Sequence, residues 1–133
     1  MPGSAISRVV TQEDVASLWS DQLPFHFADP RDPRIEAERA RIGEAVFSPE
    51  VLAHAAANGY GGIEVESRLG DVTHPTLVLA GRHDRACSVE AATAISAGVP
   101  GSRLVVFEDS GHMTYVEENA AYVDAVRGFL AGL

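Results

Sequence analysis

Two ionisable residues stand where short apolar runs stop. Asp84 follows Thr76-Leu-Val-Leu-Ala80, and His112 closes Leu104-Val-Val-Phe-Glu-Asp-Ser-Gly-His112. A carboxylate held by loop amides beside an imidazole fixes the tautomer of the ring, and it stabilises the imidazolium formed when the ring takes a proton. Such a pair serves a nucleophile. Where acid and then histidine follow in chain order, the nucleophile comes first, on a strand-to-helix elbow reading Gly-x-Ser-x-Gly. No such elbow occurs here. Ser4, Ser7, Ser88 and Ser110 lack its flanking glycines, and Ser88 reads more simply as a helix cap. Cys87 lies on the acid's own loop, a poor place from which to attack a carbonyl served by His112. Plainer readings stand beside these: Asp84 as a loop cap near Arg82 and Arg85, His112 as a solvated or core histidine, Arg82 and His83 as surface groups or supports of the acid loop.

The elements that must position this pair are two strands, 76–80 and 104–107, almost wholly apolar and so expected to be covered on both faces. Between them Ser88 caps a helix ending at Gly98, which makes a strand-helix-strand crossover with parallel strands. Gly111 is expected to turn the backbone sharply so that His112 leans toward Asp84. A last helix over 119–131 puts Tyr122, Val123, Val126, Phe129 and Leu130 on one face, packed on the sheet. The fold class is α/β. Ahead of it, residues 1–62 read as a helical segment with a loose amino terminus, and 63–133 as the α/β portion. Thr11-x-x-Asp14 resembles a capping box that opens a helix with Val15, Leu18, Trp19 and Leu23 on one face, burying Trp19. Pro24 and Pro30 predict an extended loop presenting Phe25, His26 and Phe27. Asp32-Pro33 and Ser48-Pro49 start two further helices, the second stopped by Asn58-Gly59. Gly59-Tyr-Gly-Gly62 follows a helix and lacks the lysine of a phosphate loop, so it reads as a hinge. Two parallel strands leave two open edges. The sheet is therefore expected to be completed by a missing amino-terminal half, a separate polypeptide or a second copy of the chain.

Composition narrows the partners. A net charge of −9, with only ten Lys and Arg, argues against nucleic acid and anionic membranes. A single cysteine excludes an internal disulfide framework, and no leader or long apolar span is seen, which together suggest the cytoplasm. No cofactor is expected. His83, Asp84, Glu108, Asp109 and His112 match no metal-ligand spacing, so no metal is expected either. Phe25 and Phe27 are candidates to line a substrate pocket, while Glu64 and Glu66 read as a solvated acidic stretch.

Thr76-Leu-Val-Leu-Ala-Gly-Arg-His-Asp-Arg85, Pro100-Gly-Ser-Arg-Leu-Val-Val-Phe-Glu108, Asp109-Ser-Gly-His-Met113 and Glu117-Glu118-Asn119 resemble α/β-hydrolases, proline iminopeptidase-like members most of all. The likeness covers 75–133, and the helical region resembles the end of that family's cap. It implies a partial α/β-hydrolase fold, with Asp84 matching the triad acid and His112 the triad base, and no counterpart of the serine or the oxyanion-hole loop. The expected function is the carboxyl-terminal part of a serine-type hydrolase of esters or N-terminal peptide bonds, aminopeptidase-like and inactive alone, whose complete form takes a small-molecule or peptide substrate. The alternative is a non-catalytic interaction or dimerisation module derived from a hydrolase.

Overall fold

The computed structural model describes residues 11–58 and 64–133. These divide into two compact units, one of residues 11–24 and 33–58, the other of residues 25–32 and 64–133. The stretch 25–32 thus clusters with the later residues rather than with its chain neighbours. The expected hinge at 59–62 and the loose terminus at 1–4 lie outside the described residues.

In the second unit β1 (Leu77–Gly81) and β2 (Arg103–Phe107) pair in parallel, with Leu77 opposite Arg103 and Gly81 opposite Phe107. Between them runs α4 (Val89–Gly98), opened by Ser88, whose Oγ accepts the Ala91 N–H at 3.3 Å. The return to β2 is tied by Ser102 Oγ donating to the Ser96 carbonyl at 2.8 Å. Beyond β2 come a single turn, α5 (Thr114–Glu117), which the apolar pattern does not reveal, and α6 (Asn119–Leu130). Tyr122 of α6 lays its ring 5.9 Å from that of Phe107. Its companions Val123, Val126 and Phe129 are half-buried and Leu130 is exposed.

The strands are not covered on both faces as their composition suggests. Ala80, Gly81 and Phe107, next to the candidate loops, are buried, whereas Leu77, Val78, Leu79, Leu104, Val105 and Val106 remain half-exposed. Among the described residues the sheet has two strands, too few to shield each other's edges.

In the first unit Thr11 and Asp14 form the reciprocal capping box: the Thr11 N–H donates to Asp14 Oδ2 at 2.8 Å and the Asp14 N–H to Thr11 Oγ1 at 3.1 Å. The helix they open, α1 (Gln12–His26), runs through Pro24, where a loop is predicted. A proline leaves the carbonyl four residues earlier without its donor. Here that carbonyl, of Ser20, accepts Arg39 Nη1 at 2.6 Å, and the same nitrogen meets Ser20 Oγ, so a side chain from α2 (Ile35–Gly43) replaces the missing amide. Pro33 does not open α2, which begins two residues later without a side-chain cap. Asp32 is spent in a turn instead, its N–H donating to the Asp29 carbonyl at 3.0 Å. The next helix, α3 (Pro49–Ala57), starts at its Ser-Pro signal, with Ser48 Oγ accepting the Val51 N–H. Val15 and Leu23 are buried, but Trp19 keeps 38 % of its surface exposed. It lines an open groove with Val46, Phe47, Val51 and Leu52, which do not close over it.

Candidate acid-base site

The second unit brings Asp84 and His112 together: Oδ2 of Asp84 lies 2.8 Å from Nδ1 of His112. The other oxygen, Oδ1, accepts the N–H of Ala86 at 2.8 Å and that of Cys87 at 2.9 Å. The carboxylate is therefore both a loop cap and the partner of the imidazole. Its side chain is 6 % exposed, against 39 % for His112. Burial works to raise the pKa of Asp84, but the Cys87 N–H, the imidazole and the Ala86 N–H outweigh it, and the group sits below the ordinary carboxylate range. An ionised carboxylate only accepts, so Nδ1 of His112 carries the proton and Nε2 of the neutral ring keeps its lone pair. A buried acid behind a half-open base can hold a proton acceptor ready at Nε2.

Two glutamates, which sequence reasoning noted only as part of a family likeness, hold the histidine loop. Oε2 of Glu117 accepts the Gly111 N–H at 2.8 Å and its Oε1 accepts the Ala28 N–H at 2.7 Å. Glu118 Oε2 accepts Ser110 Oγ at 2.6 Å and the Asp109 N–H at 3.1 Å. Ser110 is fully buried in this grip. The His112 N–H donates to the His26 carbonyl at 2.7 Å, which ties the loop to segment 25–32. That segment is gripped in turn by Arg85, whose guanidinium donates to the carbonyls of Phe27 at 2.9 Å and Ala28 at 3.1 Å. A sequence signal for these glutamates exists in retrospect: two carboxylates one helical turn after a glycine loop whose amides need acceptors.

The chain bends at Gly111 as expected, and the glycine serves a second purpose there. The only positive-φ glycine among the described residues is Gly101. At Gly111 a Cβ would stand 2.6 Å from the His26 carbonyl oxygen and 2.8 Å from the Ala28 nitrogen, so the residue is glycine to let two backbones meet. At Gly81 a Cβ would fall 1.9 Å from the Gly111 carbonyl oxygen, at the crossing of the acid and histidine loops. The loops are zipped further by the Arg82 N–H on the Phe107 carbonyl and the His83 N–H on the Ser110 carbonyl. Arg82 also forks onto Glu108, Nε to Oε2 at 2.8 Å and Nη2 to Oε1 at 2.7 Å.

The imidazole opens into a cavity of about 340 Å³ lined by Val78 to Gly81 of β1, Ala91, Ala92 and Ile95 of α4, and Asp84, Cys87 and His112. Phe25 and Phe27 are not among the residues that line it: Phe27 is fully buried and Phe25 is 61 % exposed. Glu64 and Glu66 are exposed.

A parallel β-α-β unit that carries an acid after one strand and a histidine after the next defines the class. Residues 56–132, more than half of the chain, match the family described as TAP-like protein. The chain belongs to this family of α/β-hydrolases, of which it has a partial fold. It is 37 % identical over 67 residues to a proline iminopeptidase of Saccharolobus solfataricus, a match covering 50 % of this chain and 21 % of that protein. A 2-hydroxy-6-oxononadienedioate/2-hydroxy-6-oxononatrienedioate hydrolase of Klebsiella pneumoniae is 38 % identical over 64 residues, 48 % of this chain and 22 % of that one. Among solved structures, a thermophilic esterase from Thermogutta terrifontis superposes with a TM-score of 0.75 at 26 % identity, over 96 % of this chain and 47 % of the other. An esterase from Exiguobacterium antarcticum agrees in fold, with a TM-score of 0.76 at 21 % identity, over 96 % of this chain and 46 % of its own. The chain thus matches about a fifth of the length of these curated relatives and about half of each solved structure. No described helix is long and apolar enough to cross a membrane.

Proposed function

We propose that this chain supplies the acid, Asp84, and the base, His112, of a serine-type hydrolase of ester or N-terminal peptide bonds, and that it is inactive alone. The observation that carries this reading is the 2.8 Å contact between a nearly buried carboxylate and a half-open imidazole on adjoining loops. His112 Nε2 takes the proton of a serine hydroxyl as that oxygen attacks the carbonyl, and later returns it to the leaving group. Asp84 holds the tautomer and stabilises the imidazolium throughout. The serine and the oxyanion donors come from an amino-terminal hydrolase half or from a second polypeptide. Residues 1–62 act as the end of a cap, where exposed Phe25 is the better placed of the two phenylalanines to meet a substrate. Relatives named as an iminopeptidase and as esterases match half or more of this chain, and substrate choice resides in the parts that differ. The unpaired Cys87 fits a reducing compartment such as the cytoplasm.

The test mixes the chain with a polypeptide bearing the Gly-x-Ser-x-Gly half of a homologous hydrolase and follows p-nitrophenyl acetate and prolyl-p-nitroanilide. Turnover that appears only in the mixture and disappears with His112→Ala supports the proposal. Equal turnover with the variant refutes it. The half-exposed strands β1 and β2 also favour a partner on the sheet. If the mixture assembles without turnover, and assembles equally with Asp84→Ala and His112→Ala, the chain is a non-catalytic interaction module.

A further inference from the structure

We propose that Asp84, Cys87 and His112 bind a borderline-soft divalent transition metal, Zn²⁺ in the first instance, and that the bound ion occupies the imidazole that would otherwise accept a proton. One ligand atom from each residue, a carboxylate oxygen, Sγ and a ring nitrogen, lies within 4.8 Å of the other two. All three side chains line the same cavity. Thiolate, imidazole and carboxylate are the donors that Zn²⁺ takes, and metal-ligand bonds of about 2.0–2.3 Å leave tetrahedral donors about 3.5 Å apart. Rotation of the exposed Cys87 side chain closes the remaining gap.

The loops that carry the donors are tied before any ion arrives, and the ion takes the place of the proton between Asp84 Oδ2 and His112 Nδ1, which part from 2.8 Å to about 3.5 Å. Cys87 and Asp84 are fixed to each other through the Cys87 N–H on Oδ1, and His112 stands on the loop that Glu117 and Glu118 anchor. The two guanidiniums of the acid loop are turned elsewhere, Arg82 onto Glu108 and Arg85 onto the carbonyls of Phe27 and Ala28. On binding, the Cys87 thiol gives its proton to solvent and the His112 ring proton passes from Nδ1 to Nε2, which frees Nδ1 to hold the ion beside Asp84, so affinity rises with pH. Three protein donors leave a fourth position for water. This inference goes beyond the proposed hydrolytic role and does not rest on it, since it needs only the three side chains.

The experiment titrates the reduced full chain with Co²⁺ as a spectroscopic stand-in for Zn²⁺. A one-to-one complex with a sulfur-to-cobalt charge-transfer band in the near ultraviolet, bleached by Zn²⁺, is expected. Cys87→Ser should abolish the band, and His112→Gln and Asp84→Asn should each weaken Co²⁺ binding at least about tenfold, while His83→Gln should leave it unchanged. A second readout uses the unaltered chain: Zn²⁺ should slow alkylation of Cys87 by iodoacetamide at least about tenfold. Absence of the band, undiminished binding in His112→Gln, or an alkylation rate indifferent to Zn²⁺ would overturn the proposal.

Discussion

The loops around His112 and the strands beneath them belong to one unit, yet they are finished to different degrees. In the loops the polar groups meet partners inside the chain: Glu117 and Glu118 take the amides of Ala28, Asp109 and Gly111, Arg85 takes carbonyls of segment 25–32, and Asp84 takes two amides and the imidazole. Among the described residues no buried side-chain nitrogen or oxygen lacks a partner. In the strands, by contrast, most of the leucines and valines stay half-exposed. Directional bonds over a few residues can be satisfied locally, whereas hiding an apolar sheet needs area from other elements. The geometry of the acid-base pair is therefore a local property, and the coverage of the sheet is not.

The sharpest way to break this contrast is to remove the glutamate that joins the loop to segment 25–32. Glu117→Ala leaves the amides of Gly111 and Ala28 without their charged acceptor, which should cost about 3 kcal/mol or more, read as a lower urea midpoint at unchanged slope. Gly111→Ala comes next. Its methyl must displace the His26 and Ala28 backbones, a loss of about 2 kcal/mol by the same measurement. Of similar size is Asp84→Asn, and its signature is pH dependence. The folded carboxylate sits below its ordinary value, so its contribution is present above about pH 4 and is lost as pH falls through the lower, folded value. Denaturation curves should show the variant less stable near neutrality by about 2 kcal/mol, with a shallower acid limb than the unaltered chain. The smallest effect belongs to the first unit: Arg39→Met removes the donor that Pro24 denies to the Ser20 carbonyl and should lower stability by about 1 kcal/mol, leaving the His112 ring resonances unchanged.

What the sequence discloses divides along the same line. Thr11 with Asp14, Ser48 and Ser88 act within three residues of themselves, and each caps the helix predicted for it. The strands are legible as apolar runs, and Asp84 and His112 from their places just past them. The continuation of α1 through Pro24 was not legible, because its rescue comes from Arg39 on another helix. Nor was the role of Glu117, whose partner Ala28 lies far earlier in the chain. The strand composition misled about burial because a Val- and Leu-rich run states what a strand can bury against, and the described residues supply only part of that cover.

The central claim is that the acid-base pair is assembled within this chain. It is tested most directly by long-range ¹H–¹⁵N correlation of the histidine rings at neutral pH, comparing the unaltered chain with Asp84→Asn. A proton resident on Nδ1 of His112, deshielded by its bond to Asp84 and lost or shifted in the variant, is the predicted result. A His112 ring protonated on Nε2 alone, or one with the same spectrum in Asp84→Asn, would contradict it.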